Sequence, residues 1–431
     1  MTTQKKKPKN RVCVIGLDGV PYGLLLDLAR KGIMSSLGRI IDSGHLHKMK
    51  ASLPEISAVS WTDFMTGTNS GTHGIFGFTD LKPGSYEVRY PNYQDIKAPP
   101  FWDTLADRGV KSIIINQPST YPARPLNGIL ISGFVAIELG KAVYPLNQKA
   151  VLEQMGYQID IDTLKARENV NILWDELIKT LMGRQKALNH YWEEEWDYFE
   201  LVLTGTDRLH HFLWNAYENP SHPHHQNFLE YYRQIDRLIN KIYTSFRKTA
   251  ADEENIFFLS DHGFTGIRQE VYLNAWLEKE KFLKFTTVLP KGLEDISPKS
   301  VAFALDPGRI YINLKDKFPQ GSVKPADAKA IKEAIIRRLS ALEFEGRKVI
   351  RNVFPAREVY SGPLVSKGPD LIVLSEPGFD VKGSVKRKET FGRTPGLQGM
   401  HTWDDAFFLA KHDFGEALAI SDISKIIMDR F

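Results

Sequence analysis

Three apolar runs of this chain end in aspartate. RVCVIGLD ends at Asp18, YFELVLTGTD at Asp207 and NIFFLSD at Asp261. An aspartate at the end of a strand usually serves a turn or a helix cap, but two of these three have histidine nearby at ligand spacing. In DRLHH, a helix starting at Asp207 sets Asp207 and His211 on one face, at i and i+4. It also turns His210 about 100° away from His211. In SDHGF, His262 follows Asp261 directly, and Gly263 permits a sharp turn that could aim neighbouring side chains at one centre. Far downstream, GMHTWDD carries His401 in a Gly-flanked loop. Carboxylate and imidazole without thiolate suit a hard or borderline divalent ion, zinc first and manganese second. Three Asp and three His suffice for about two ions. Two ions roughly 4 Å apart are the usual means of clamping attacking and leaving oxygens at phosphorus.

A hydroxyl could complete such a site. The stretch LPEISAVSWTDFMTG, residues 53–67, offers Ser57, Ser60, Thr62 and Thr66. Its apolar pattern predicts a helix closed by Gly67, with Ser57 at the N-cap. A hydroxyl there meets free backbone N–H groups and the positive end of the helix dipole, and both favour an alkoxide and a bound phosphate. Ser60 falls inside the first turn, Thr62 further along and Thr66 at the far end.

The elements that must hold these residues can be read from the same pattern. The three Asp-terminated runs, and KSIIINQP at 111–118 and PDLIVL at 369–374, are near-continuous apolar runs, as expected of strands buried on both faces of a parallel sheet. FWDTLADRG (101–109), residues 171–195 and residues 225–246 carry helical periodicity. Strands alternating with helices predict an α/β fold, a doubly wound, mostly parallel sheet flanked by helices. Ligands of such sheets bind beyond the carboxyl ends of the strands, where the three aspartates fall. Residues 265–368 differ. SVAFALDPGRIYINL (300–314) predicts a hairpin turning at Asp-Pro-Gly, and 326–343 an amphipathic helix. The expected organisation is a basic tail over 1–10, a catalytic core over 11–264, a smaller α+β elaboration over 265–368 that shapes the substrate pocket, and the last part of the core, with His401, over 369–431.

Composition sets the outer bounds. The chain has 431 residues, 42% hydrophobic and 25% charged, which is ordinary for a globular enzyme. Much of the net charge of +4 sits in KKKPK at residues 5–9, so no nucleic-acid footprint is indicated. Cys13 is the single cysteine and forms no internal disulfide. No apolar run is long enough for a spanning helix, and no signal peptide is visible, so the expected location is the cytoplasm.

The segments GLDG, SW…TG…HGI, DRLHH, SDHG and GMH occur in the order found in the alkaline phosphatase superfamily. The chain resembles its type I phosphodiesterase/nucleotide pyrophosphatase branch, and within that the prokaryotic predicted phosphohydrolase/phosphomutase group, from about residue 11 to the C-terminus. The resemblance implies an alkaline-phosphatase-like core with two metal sites. Asp207, His211 and His401 hold one ion, and Asp18, Asp261 and His262 the other, with the Ser57 hydroxyl as a further ligand and the nucleophile. In the family the nucleophile stands nine residues before the Thr of a Thr-Gly pair, which here selects Ser57 from Thr66. The implied activity is cleavage of a phosphodiester or pyrophosphate in a small-molecule phosphoester, a nucleotide among the candidates, through a phosphoserine. The chain departs from the pyrophosphatases in carrying Ser rather than Thr as nucleophile, and Phe78 where they carry a phosphate-donating Asn. Asn116 is the candidate replacement donor. His73 reads as structural and Trp61 as a core aromatic. The same core also allows a phosphomutase, phosphotransferase or phosphomonoesterase, and a catalytically inactive metal-stabilised binding protein is the alternative from another class.

Overall fold

The computed structural model describes residues 10–415 and 417–431. The basic stretch at 5–9 lies outside the described residues. The chain forms two compact units. The first comprises the chain up to Gly67, Pro99–Phe264 and His401–Phe431, and the second Thr68–Ala98 and Thr265–Met400.

The first unit is built on an eight-stranded sheet. In chain order its strands are β1 (Val12–Leu17), β2 (His45–Met49), β3 (Ser112–Gln117), β4 (Gly128–Ser132), β5 (Val143–Tyr144), β6 (Tyr198–Leu203), β7 (Ile256–Leu259) and β8 (Ala406–Ala410). They lie in the order β2-β8-β7-β1-β6-β3-β4-β5. The middle strands β7, β1, β6, β3 and β4 are mutually parallel. The edge strands β2, β8 and β5 run antiparallel to their neighbours. Every residue of β1, β3, β6 and β7 is buried, as the apolar runs require of strands covered on both faces.

Four helices matter below: α1 (Ser57–Thr66), α2 (Val170–Tyr191), α3 (Gly205–Glu218) and α4 (His225–Thr249). Helix α4 buries Phe228, Tyr232, Ile235, Ile239, Ile242 and Phe246. Their spacing of three, four and seven residues makes one apolar stripe.

A carboxylic acid lies within this core. Glu200 lies mid-strand in β6, opposite Val14 and Ile114, and is fully buried. It accepts a hydrogen bond from the Tyr198 hydroxyl, and its Oε1 has no partner. Burial pushes its carboxyl up to about 8. A buried acid raised in this way stabilises the fold fully below its unfolded value of about 4.3, and that contribution is lost as pH rises through about 8. Glu200→Gln keeps an acceptor for Tyr198 and does not ionise. Its melting temperature relative to wild type is therefore expected to rise between pH 6 and pH 9. A constant difference across calorimetric scans over that range would contradict the assignment.

The second unit contains a four-stranded antiparallel sheet of Ala302–Leu305, Arg309–Ile312, Leu371–Ser375 and Ile350–Pro355. The predicted hairpin forms and turns at Asp-Pro-Gly, with Ala302 opposite Ile312 and Leu305 opposite Arg309, and the amphipathic helix spans Ala328–Ser340. Two boundaries differ from the sequence reading. The run at 369–374 pairs with Arg309–Ile312 and Ile350–Pro355 rather than joining the large sheet. The second unit accordingly continues to Met400, and it also takes in Thr68–Ala98. An apolar run marks a buried strand but not the sheet it joins.

Candidate active site

The strand order alone gathers the three aspartates. β1 lies between β6 and β7, parallel to both, with Leu17 opposite Leu203 and Gly16 opposite Leu259. Asp18, Asp207 and Asp261 therefore leave three adjacent strands at one sheet edge. β8 runs antiparallel to β7, so the segment leading into it carries His401 to the same edge. β2 pairs antiparallel with β8, Met49 opposite Ala406, and delivers helix α1 there too.

Main-chain contacts fix the cluster. Gly19 N–H donates to Asp261 Oδ1 at 3.0 Å, and Thr206 Oγ1 donates to the Asp18 carbonyl at 2.6 Å. Gly19 has φ +65°, and a Cβ there would stand 3.1 Å from the His262 ring and 3.2 Å from Asp207 Oδ1. Only glycine fits both the backbone and the space. Gly263 has a different role from the expected turn. It opens the extended segment Gly263–Gly266, and a Cβ there would meet Thr402 Oγ1 at 2.4 Å.

Two groups of ligand atoms result. Asp207, His211 and His401 form one, and Asp18, Asp261 and His262 the other, with the atoms of each group within 4.8 Å of one another. Asp207 Oδ1 lies 3.2 Å from His401 Nε2 and 3.4 Å from His211 Nε2, and those two nitrogens are 3.0 Å apart. His262 Nε2 stands 3.3 Å from Asp261 Oδ2 and 3.8 Å from Asp18 Oδ1. Ser57 Oγ is 3.3 Å from Asp18 Oδ1 and 3.1 Å from His262 Nε2. His210 faces away, as its position on α3 requires, and engages the Gly19 carbonyl and the Tyr232 hydroxyl.

The residues fit divalent ions on two observations. Asp207 Oδ1 and Asp261 Oδ2 are buried oxygens without a hydrogen-bond partner, which is costly unless a cation meets them. His401 Nδ1 lies 2.8 Å from the Glu55 carbonyl, and His262 Nδ1 lies 3.0 Å from that of Gly263. A carbonyl only accepts, so each ring carries its proton on Nδ1 and turns the bare Nε2 lone pair to the centre.

The electrostatics agree. Burial, then the neighbouring Asp261 and Asp207 charges, hold the Asp18 carboxyl well above its ordinary value. Burial, aided by Asp207, pushes Asp261 up to about 7. Burial also tends to raise Asp207, but His211, His401 and Arg208 outweigh it and hold that carboxyl well below its ordinary value. Burial pushes the His262 imidazole down to about 3, keeping it neutral. The Asp18, Asp261 and His262 group is closed off, whereas the His211 and His401 side chains are 27% and 14% exposed, so solvent reaches the other group.

Among the hydroxyls of α1, Ser57 alone faces this centre. Ser60 accepts from Ser52 N–H, Thr62 donates to the Ala58 carbonyl and Thr66 to that of Thr62. Ser57 is the first helical residue rather than the cap, which is Ile56. The one-residue shift leaves its Oγ free of a capping bond. Asn116 does not serve as a phosphate donor. It is fully buried, its amide donates to the Val202 carbonyl and Thr204 Oγ1, and its oxygen accepts from Arg184. His73 is buried and accepts from Ile75 N–H, as a structural histidine does.

Two residues of the site went unread in the sequence. Trp61, expected as a core aromatic, is buried and also donates from Nε1 to Asp18 Oδ2 at 3.1 Å. Arg208 donates to Asp207 Oδ2 at 2.8 Å. The signal for Arg208 was its place beside Asp207 in DRLHH, while Trp61 lies one turn beyond Ser57, on the same helix face.

Fold and site define the class, an α/β protein with carboxylate–imidazole clusters at the carboxyl edge of its parallel strands. The family model for type I phosphodiesterase / nucleotide pyrophosphatase matches residues 12–404, and the chain belongs to that family of enzymes. Comparison with curated proteins gives no match. Among solved structures, phosphonoacetate hydrolase from Sinorhizobium meliloti 1021, in complex with phosphonoformate, is similar with a TM-score of 0.64 at 15% identity, over 98% of this chain and 96% of that one. Murine ectonucleotide pyrophosphatase / phosphodiesterase 5 is similar with a TM-score of 0.55 at 13% identity, over 97% and 94%, and an inactive form of it is known in complex with AMP. Among the described residues, no helix is long and apolar enough to cross a membrane.

Proposed function

We propose that this enzyme is a two-metal phosphohydrolase that cleaves a phosphodiester or pyrophosphate through a phosphoserine on Ser57. The observation that carries the reading is the place of Ser57 Oγ, at the start of α1 and within 3.3 Å of both Asp18 and His262. Asp207, His211 and His401 would hold one ion, and Asp18, Asp261, His262 and Ser57 the other. The donor set favours zinc, then manganese. When bound, such ions lower the pKa of hydroxyl and water and offset charge building on phosphoryl oxygens. Ser57 Oγ, on losing its proton, attacks phosphorus while the leaving oxygen departs with the bonding pair and takes up a proton, and water then releases from the serine the phosphoryl group with its remaining substituent, a phosphomonoester. The N-terminus of α1 supports charge on the attacked phosphoryl group through its free N–H groups. Small phosphoesters, nucleotides among them, are the proposed substrate class.

A second reading, a phosphomonoesterase or a transferase that passes the phosphoryl group to an alcohol, is favoured by Phe78, which cannot donate to a phosphate as the pyrophosphatases' Asn does. The two separate on a panel of bis(p-nitrophenyl) phosphate, p-nitrophenyl phosphate and ATP, with zinc or manganese added and products followed by phosphorus NMR. The main reading expects the diester or the anhydride to exceed the monoester by 100-fold or more in kcat/KM. Preference for the monoester, or phosphate transfer to added glycerol without net release, supports the second.

A further inference from the structure

Arg208 is bound on two sides. Its Nη1 donates to Asp207 Oδ2 at 2.8 Å. Its Nε and Nη2 donate to Asp160, the shortest contact being Nη2 to Oδ2 at 2.7 Å. The face of the guanidinium lies 4.3 Å from the Phe134 ring centroid. Asp160 is itself held in place. Arg184, on α2, donates to the carbonyls of Gln158 and Ile159 and to Asn116 Oδ1, and Ile161 N–H donates to Asp160 Oδ1. A contact path thus runs from Asn116 through Arg184 and the 158–160 segment to Asp160, Arg208 and Asp207. The two oxygens of Asp207 have opposite environments. Oδ2 is taken by Arg208, whereas Oδ1 has no hydrogen-bond partner and faces His401, His211 and His262.

We propose that Arg208, braced by Asp160, is the positioning residue of the Asp207–His211–His401 site, holding Asp207 so that it offers a cation Oδ1 alone. The inference rests on the two-metal reading above. A planar fork can bind two carboxylates in fixed directions, which a lysine ammonium cannot. Without it, Asp207 is free to rotate its Oδ1 away from the histidine nitrogens, or to chelate through both oxygens. Partners that orient a metal ligand typically contribute about 10–100-fold in affinity.

The test is a competition titration of metal-free protein with zinc against a chromophoric chelator, for wild type, Arg208→Gln, Arg208→Lys and Asp160→Asn, each checked for folding by circular dichroism. Wild type is expected to show two sites. Both Arg208 variants should lose about 10–100-fold at one of them and keep the other, and Asp160→Asn should weaken that same site by a smaller factor. Failure of the lysine to restore affinity separates orientation from charge alone. If the Arg208 variants do not fold, Asp160→Asn, with the arginine intact, decides the matter on that site. Two sites of unchanged affinity in the variants, with or without a lower Tm, would overturn the positioning role and leave the two-metal reading standing, as would full affinity in Arg208→Lys. A wild type that binds no zinc would instead remove the two-metal reading, and this inference with it.

Discussion

Replacing Ser57 with alanine is expected to lower kcat by on the order of 10⁴-fold or more, while the folded protein still takes up two divalent ions. The size of the effect follows from the geometry. No other hydroxyl of α1 can step in, because Ser60, Thr62 and Thr66 are engaged with main-chain groups. Retention of the ions follows from the ligand count, since Asp18, Asp261 and His262 keep three donors within reach of one centre without the serine. A quench at acidic pH during turnover gives a second readout. Wild type should carry the phosphoryl group with its remaining substituent on the peptide containing Ser57, and the alanine variant none. Full turnover by Ser57→Ala, or phosphate found on another residue, would remove Ser57 as the nucleophile. Loss of both ions together with activity would show that the serine acts mainly as a ligand.

Much of this site was legible in the sequence, for a physical reason. Parallel strands buried on both faces read as near-continuous apolar runs, and the aspartates that close these three runs fall at the edge where ligands bind. Asp18, Asp207 and Asp261 could therefore be found without knowing the strand order. The i, i+4 relation of Asp207 and His211 is a property of any helix. What could not be read depends on contacts between distant segments. Asp160 reaches Arg208 across 48 residues, and nothing in the residues around Asp160 marks it. Asn116 stood in the right place for a donor, at the end of β3, but its φ of +68° turns it into the core, where Arg184 takes its oxygen. The strand Leu371–Ser375 was recognised as a strand and assigned to the wrong sheet, because pairing is decided by Arg309–Ile312 and Ile350–Pro355.

Removing the ions is expected to abolish activity and to lower the melting temperature, by more at pH 8 than at pH 6. In the metal-free protein Asp18 and Asp261 are buried against one another and against Asp207, and both are raised, Asp261 to about 7. A carboxyl raised on folding stabilises the fold fully below its unfolded value of about 3.9, and that contribution is lost as pH rises through the folded value, here about 7 for Asp261. His401 acts in the same direction. Burial lowers it, but the Asp207 carboxylate 3.2 Å from its Nε2 more than offsets this and raises it, so the attraction between the two also fades as pH rises through this window. Ions bind the deprotonated carboxylates and the bare imidazole nitrogens, and release the protons the metal-free site would hold. Loading is therefore worth more at the higher pH. His262 and His210, each pushed down to about 3 by burial, are neutral with or without metal and drop out of the difference. Asp207 is held well below its ordinary value, so its contribution is present across the window and lost only in acid. At a free ion concentration of about 1,000 times Kd, each site adds roughly 4 kcal/mol to the folded state. Calorimetry of zinc-loaded and chelated protein at both pH values measures the gap directly. A gap that narrows from pH 6 to pH 8 would show that the three carboxylates and His401 do not titrate as one buried centre.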